Sequence, residues 1–121
     1  MYELDLNHYE IAGAHNLKLP YESPCHNLHG HNWYVSVHIE AEELSAHGMI
    51  LDFKHIKEYL KSFDHKYINE LVDFSPTAEN MAKHFVDKVR ELSIHEGCSP
   101  SLVKVSVQEA EHNTASYTWR A

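Results

Sequence analysis

One strand pattern constrains this chain more than any other feature: between residues 29 and 40 the side chains alternate between two faces. On a β-strand, residues i and i+2 point to the same face. One face therefore carries His29, His31, Trp33, Val35, Val37 and Ile39, and the other face is polar. This alternation predicts a half-buried strand whose hydrophobic row ends at two imidazoles.

The two histidines at the start of this strand form a candidate metal pair. Their Cα atoms lie roughly 6.5 Å apart in an extended chain, so both imidazoles can reach one ion. Gly30 lies between them, and its missing side chain allows a ligand or another backbone to approach closely.

A third candidate ligand, His15, comes from the preceding strand. Residues 2–15 predict a strand. Its apolar residues lie at even positions up to Leu6 and at odd positions from Tyr9, and a bulge near Asn7–His8 explains the change. With the register reset, His15 falls on the same face as Tyr9 and Ile11.

The rest of the chain predicts helices on a sheet. Met49–Leu51 is a short apolar segment that we expect to pair as a strand with the preceding one. Asp52 and Thr77 are helix caps, for helices that end near Ser62 and Gly97. Strands are expected over 102–109 and 115–120. The sequence therefore predicts one α+β domain over residues 1–121, with an antiparallel sheet of four to five strands and two helices on one face.

Charge and hydropathy exclude several classes of partner. The net charge is −8, from 10 basic and 18 acidic residues, and no cluster of lysine and arginine suits a nucleic-acid partner. No stretch reaches the roughly 18 apolar residues of a membrane span, and the first residues lack the pattern of a secretory signal. We therefore expect a cytoplasmic protein with no membrane partner, in which Cys25 and Cys98 form no disulfide.

Two acidic positions are candidates for chemistry. Asp64 precedes His65, and such a pair can transfer protons when the carboxylate orients an imidazolium, although neighbours in sequence often point apart. Glu109 continues the row of Val103, Val105 and Val107. It is either the end of a strand turning into solvent or a half-buried carboxylate that accepts N–H groups from a ligand.

Three imidazoles on two strands fit a zinc (Zn²⁺) site. A catalytic zinc keeps a fourth position for water or substrate, whereas a fourth ligand from Cys25 would make a closed structural site. We favour the open site because a well-formed sheet needs no metal to fold. Cys25 is then free for chemistry, and a thiol beside a dication and histidines loses its proton more readily.

These residues together resemble the 6-pyruvoyltetrahydropterin synthase family, which includes the bacterial 6-carboxytetrahydropterin synthases of queuosine biosynthesis. The resemblance is carried along nearly the whole length of the sequence by Ala14-His15, Cys25-x-x-x-His29-Gly30-His31, Gly48-Met49-Ile50-Leu51-Asp52-Phe53, Asp64-His65-Lys66-Tyr67-Ile68-Asn69, Pro76-Thr77-Ala78-Glu79-Asn80 and Glu109.

The resemblance implies a role for each of these sites. His15, His29 and His31 would bind zinc, and Cys25, Asp64 and His65 would be catalytic. The pterin would be held by Glu109, with Thr77 and Glu79 nearby. The implied substrate is 7,8-dihydroneopterin triphosphate: zinc acidifies a carbon-bound hydrogen of the substrate, the Cys25 thiolate removes that proton, and His65 with Asp64 supplies protons as triphosphate leaves.

The family has two branches, and the resemblance favours the bacterial one, in which 6-carboxy-5,6,7,8-tetrahydropterin forms with loss of acetaldehyde. The alternatives are a 6-pyruvoyltetrahydropterin synthase, which stops after elimination of triphosphate, and a non-catalytic module that binds zinc or a pterin. The resemblance further implies a tunnelling fold, in which the sheets of trimers close into a β-barrel and two trimers pair as a homohexamer.

Overall fold

The computed structural model describes all residues from 1 to 121 and has a five-stranded sheet with two helices. The elements in sequence order are β1 (Tyr2–His15), β2 (His29–Ala41), α1 (Phe53–Lys61), β3 (Lys66–Tyr67), α2 (Ala78–His95), β4 (Leu102–Ala110) and β5 (Asn113–Arg120). Single 3₁₀ turns lie at Pro24–His26 and Ile68–Glu70. The predicted α+β class is confirmed.

The strands lie in the order β3-β1-β2-β4-β5. The four long strands are antiparallel to their neighbours, whereas β3 runs parallel to β1 through Gly13 opposite Lys66 and Ala14 opposite Tyr67. The predicted purely antiparallel sheet is therefore wrong in this detail. After α1 the chain returns to the outer edge in the direction of β1, and only two residues pair there.

The strand predicted over Met49–Leu51 is also wrong. The Ser45 hydroxyl accepts the Met49 N–H at 3.3 Å, and Ser45 N–H donates to the Met49 carbonyl at 3.0 Å, which closes a tight turn. Gly48 has φ of +77° in this turn, a conformation that favours glycine. Ile50 and Leu51 lie in a loop that leads into α1, and their side chains are buried in the core. Their apolar character is explained by this burial and not by pairing in the sheet.

The bulge predicted in β1 is confirmed. The register against β2 shifts between Leu6 and Tyr9, and His8 adopts φ of +51° with its N–H donated to the Ser36 hydroxyl. After the bulge, Ile11 and His15 point into the molecule and are fully buried. The bulge thus decides which face of β1 presents the third histidine.

The predicted helix caps are confirmed as well. An Asp52 carboxylate oxygen accepts the Lys54 N–H at 2.9 Å, and the Thr77 hydroxyl accepts the Asn80 N–H at 3.1 Å. Both contacts satisfy backbone donors that have no partner within the helix. The helices therefore begin one residue after these caps.

The core is one cluster of 22 buried residues between the sheet and the helices. Its sheet side includes Trp33, Val35, Val37, Ile39, Val103, Val105 and Val107, and its helix side includes Ile56, Leu60, Phe85, Val86 and Val89. The apolar row of β2 begins immediately after His31, so the histidines lie at the rim of the core. None of the helices is long and apolar enough to cross a membrane.

Candidate active site

The pairing of β1 with β2 brings three histidines together. His15 lies opposite His29, and His31 lies opposite Gly13, two residues earlier in β1. The nearest ring nitrogens of His15, His29 and His31 all lie within 4.8 Å of one another. One metal ion can therefore be reached by all three imidazoles with small side-chain movements.

Backbone carbonyls set which ring nitrogen is free. His15 Nδ1 lies 2.7 Å from the Pro76 carbonyl, and His29 Nδ1 lies 2.8 Å from the Asn27 carbonyl. A carbonyl only accepts, so each Nδ1 carries the hydrogen and each neutral ring keeps its lone pair on Nε2. Metal-binding histidines commonly have such a partner on the other nitrogen, because it fixes the tautomer and the ring orientation.

The histidines also fit a metal in burial and charge state. His15 is fully buried, and its Nε2 has no hydrogen-bond partner, which is costly for a polar atom unless a ligand or ion completes it. Burial lowers the pKa of His31, which favours the neutral imidazole that binds metals. Three neutral nitrogen donors suit zinc with one position left open.

Glu109 lies beside the three histidines instead of turning into solvent. Its Oε1 is 3.3 Å from His15 Nε2 and 3.4 Å from His31 Nε2. The contact with His15 is the main reason that the pKa of Glu109 is lowered, against the opposing effect of burial. Because the Pro76 carbonyl accepts the Nδ1 hydrogen of His15, the Nε2 lone pair of the neutral ring faces this carboxylate, and a cation placed between them would contact both.

A cavity of about 420 Å³ opens next to Glu109. It lies between the first turn of α2 and the β4–β5 turn, and its lining is Ala78, Glu79, Glu109, His112, Asn113, Thr114 and Ala115. Sequence reasoning missed residues 112–115 of this lining, although their place in and after a turn that directly follows Glu109 was a usable signal. A groove of about 500 Å³ between β1 and residues 44–53 is larger, but it lies away from the histidines.

The two predicted pterin contacts on α2 differ in their surroundings. The Thr77 hydroxyl is engaged as the helix cap, where it accepts the Asn80 N–H. Glu79 lines the cavity that Glu109 also lines. The structure thus brings Glu79 and Glu109 to one cavity, with Thr77 at the start of the helix beside it.

Cys25 lies outside the group of three histidines. It is in the 3₁₀ turn before β2, where its N–H donates to the Ser23 hydroxyl at 3.2 Å and its carbonyl accepts the Leu17 N–H at 2.7 Å. The thiol is free and partly exposed. A position outside the 4.8 Å group favours the open metal site over one closed by Cys25.

Asp64 and His65 dock against the edge of β1. An Asp64 carboxylate oxygen accepts the Ala12 N–H at 2.8 Å, and His65 N–H donates to the Ala12 carbonyl at 2.6 Å. His65 has φ of +56°, and its side chain is 82% exposed, with Nε2 3.5 Å from the second Asp64 oxygen. The imidazole therefore faces outward, and neither residue joins the three histidines.

A single histidine, His38, lies among three carboxylates on the polar face of the sheet. His38 Nδ1 is 2.7 Å from Asp5, and its Nε2 is 2.8 Å from Glu40 and 3.8 Å from Glu3. Hydrogen bonding to Glu40 raises the pKa of His38, with a further contribution from Asp5. A carboxylate at hydrogen-bond distance from each nitrogen favours the protonated imidazole, which has no lone pair for a metal, unlike the three histidines at the rim of the core.

The family model described as 6-pyruvoyl tetrahydropterin synthase matches residues 7–120. Over 59 residues the chain is 51% identical to a putative 6-carboxy-5,6,7,8-tetrahydropterin synthase of Pyrococcus abyssi, a match that covers 49% of this chain and only 37% of that relative. It is 30% identical to human 6-pyruvoyl tetrahydrobiopterin synthase, over 88% of this chain and 77% of the relative. The relatives thus include both named activities.

Solved structures share the fold. The crystal structure of 6-pyruvoyl tetrahydropterin synthase from Plasmodium vivax superposes with a TM-score of 0.71, covering 99% of this chain and 98% of that one at 15% identity. At this identity the likeness concerns the fold alone.

Proposed function

Since this chain belongs to the 6-pyruvoyl tetrahydropterin synthase family of enzymes, we propose that it is a zinc-dependent lyase acting on 7,8-dihydroneopterin triphosphate. The product we propose is 6-carboxy-5,6,7,8-tetrahydropterin, formed with uptake of one water and loss of triphosphate and acetaldehyde, as in queuosine biosynthesis. The observation that carries the proposal is the group of three histidines, two of which have their Nδ1 hydrogens on carbonyls and their Nε2 lone pairs free.

In this proposal His15, His29 and His31 hold the zinc ion. When bound, zinc supplies a Lewis acid that polarises oxygen ligands of the substrate. The buried and unpartnered Nε2 of His15 supports the assignment, because an ion completes an atom that is otherwise left without a partner. A non-catalytic zinc or pterin module would share this centre, so the centre alone does not distinguish turnover from binding.

Cys25 is the proposed general base. Its thiol is free and partly exposed, and it stands in the turn that leads directly into the strand of His29 and His31. The position is close in sequence to the proposed metal ligands, and a thiolate there could remove a proton from carbon.

Asp64 and His65 form the proposed proton-transfer pair. Asp64 is held by the Ala12 N–H, so its carboxylate has a fixed position against which an imidazolium is stabilised. The imidazole of His65 is largely exposed on its own subunit, which supports a role in a site completed across a subunit boundary.

The pterin is proposed to bind in the cavity between α2 and the β4–β5 turn. Glu109 is half-buried and lines this cavity, where its carboxylate can accept the amino and ring N–H groups of a pterin as charge-assisted hydrogen bonds. Glu79 lines the same cavity, and Thr77 fixes the start of the helix that carries Glu79.

The assembly we propose is a homohexamer of two trimers with a closed β-barrel. β5 is an edge strand, and β1 pairs on its outer side only at Gly13 and Ala14, so both edges offer free backbone groups to other subunits. We place the enzyme in the cytoplasm, where a free catalytic thiol stays reduced.

The test uses purified protein loaded with zinc and supplied with 7,8-dihydroneopterin triphosphate. We expect triphosphate, acetaldehyde and a product with the mass of the carboxy-tetrahydropterin. Triphosphate release without acetaldehyde would instead support the pyruvoyl branch, which the human relative makes the second candidate. Binding of the substrate without release of triphosphate would refute both and leave a binding module.

A matched pair of variants tests the metal assignment. His15→Ala removes one donor from the buried group, and we expect zinc to be lost after dialysis against a weak chelator. His38→Ala removes a histidine whose two nitrogens face carboxylates, and we expect zinc content to stay at that of the wild type. Equal zinc content in both variants would contradict the assignment.

A further inference from the structure

We infer that Trp33 is a positioning residue for Glu109: its indole N–H donates to the Glu109 carboxylate and sets the orientation in which that carboxylate receives a ligand. The inference rests on the proposed function in one respect, because it takes the ligand to be a pterin. Sequence reasoning assigned Trp33 only to the apolar row of β2.

The register between β2 and β4 places the two residues opposite each other. Tyr34 pairs with Gln108 and Val35 with Val107, so the next antiparallel position brings Trp33 to the level of Glu109. Directly opposed side chains on one face of a sheet have Cβ atoms about 4.5–5.5 Å apart. Glu109 also lies at the register shift between Gln108 and Ala110, where a bulge redirects a side chain.

The Trp33 ring is held firmly at this point. It is fully buried, and its ring centroid lies 5.0 Å from that of His15 and 5.2 Å from that of His31. Gly13 makes room for it, since a Cβ there would lie 3.0 Å from Trp33 Cζ3. The indole therefore cannot turn its N–H elsewhere without repacking the histidines.

The indole N–H is buried and has no hydrogen-bond partner on the protein in this structure. A buried donor without an acceptor is costly, and the half-buried carboxylate opposite is the acceptor that the register provides. The contact requires the Glu109 side chain to turn toward the indole, because its Oε1 faces His15 and His31 in this structure.

Such a contact matters because a pterin presents neighbouring N–H groups in one plane. A carboxylate accepts both in bidentate fashion only when its own plane is fixed. In this structure Glu109 Oε1 faces His15 Nε2 at 3.3 Å and His31 Nε2 at 3.4 Å, so the carboxylate needs another donor once an ion takes those two nitrogens. The N–H of Trp33 is the donor that remains, and it orients the carboxylate for a ligand in the cavity.

The test replaces Trp33 by phenylalanine and measures binding of neopterin, an oxidised and unreactive pterin, to zinc-loaded protein. We expect affinity to fall about 10-fold, the loss typical of one hydrogen bond to a charged group. Trp119→Phe is the matched control, because Trp119 stacks on Arg90 at 4.1 Å on β5 and pairs with Val103 far along the sheet. We expect that control to bind neopterin as the wild type does.

A double-mutant cycle separates positioning from packing. If Trp33 acts through Glu109, then Trp33→Phe weakens neopterin binding less than 2-fold in a Glu109→Gln background, where the charged acceptor is gone. If Trp33 acts only by packing, the 10-fold loss persists in that background, and the inference is overturned.

An isosteric replacement covers the case in which phenylalanine disturbs folding. Benzothienylalanine keeps the bicyclic shape and replaces the N–H by sulfur, and a Trp119→Phe background restricts its incorporation to position 33. We expect the same 10-fold loss with zinc content unchanged; unchanged affinity for neopterin overturns the inference. Failure of the wild type to bind neopterin is a different result, since it refutes the proposed function and not the role of Trp33 in orienting Glu109.

Discussion

Replacing Gly13 by alanine tests how tightly the metal-binding face is packed. The added Cβ would lie 3.0 Å from Trp33 Cζ3, 3.1 Å from the Lys66 carbonyl oxygen and 3.5 Å from Ile68 Cδ1. Contacts of 3.0–3.4 Å are tighter than nearly all real Cβ contacts, so the first two neighbours must each retreat by a few tenths of an ångström. Trp33 is fully buried and the Lys66 oxygen belongs to the backbone of β3, so neither moves easily.

Two opposing contributions set the size of the effect. Overpacking of this kind costs about 1–3 kcal/mol. Alanine in place of glycine returns about 0.5–1 kcal/mol, because the unfolded chain loses less freedom. The difference lies between about 0 and 2.5 kcal/mol, and we expect Gly13→Ala to lower the free energy of unfolding by about 1 kcal/mol, measured by urea denaturation at fixed protein and zinc concentrations.

Gly30→Ala is the matched control on the neighbouring strand. Its Cβ would meet only the Gly13 carbonyl oxygen, at 3.4 Å, and Gly30 has no positive φ. We expect this variant to be as stable as the wild type or more stable by about 0.5 kcal/mol. If Gly13→Ala proves as stable as Gly30→Ala, the close packing of β3 and Trp33 around position 13 is refuted.

Three further predictions concern chemistry, assembly and pH. Cys25→Ala should retain about one zinc per subunit while turnover falls about 10²-fold or more, the scale of losing a general base, and loss of zinc would show that Cys25 is a ligand. If each site draws Cys25 and His65 from different subunits, equal amounts of the Cys25→Ala and His65→Ala proteins refolded together should recover activity in about a quarter of sites. Recovery no greater than the sum of the separate variants would show that one subunit holds the whole site. Because Glu40 and Asp5 raise the pKa of His38, the stability that His38 contributes is complete below its unfolded pKa of about 6.5 and is lost as pH rises through the folded value. Urea denaturation should therefore show His38→Gln to be most destabilising at pH 6 and nearly neutral at pH 9, and an equal effect at both pH values would exclude the ionic contribution.

Sequence patterns within each strand were sufficient to predict that the three histidines share one face of the sheet. A parity change in β1 indicated the bulge, and period-two alternation gave the inward face of β2, so the positions of His15 and His31 followed from neighbouring residues. The caps at Asp52 and Thr77 were equally local, because their side chains bond N–H groups two or three residues away.

The features that were missed depend on distant parts of the sequence. The carbonyl of Pro76 orients His15 from 61 residues away, and no sequence pattern indicates it. The opposition of Trp33 and Glu109 depends on the register of β2 with β4, which is fixed only when both strands pack on the helices. Met49–Leu51 was predicted wrongly as a strand for a different reason. A short apolar sequence has the same pattern in a buried loop as in a strand, so the pattern cannot distinguish the two.

The docking of residues 64–67 on β1 also sets a limit on sheet growth. Ala12 gives its outward N–H to Asp64 and its outward carbonyl to His65, and the next two residues of β1 pair with β3. A strand from another molecule that adds to this edge finds free backbone groups before Ala12 and none beyond it. The segment therefore acts as a stop that confines any added strand to the first part of β1 and keeps it clear of the end where His15 lies.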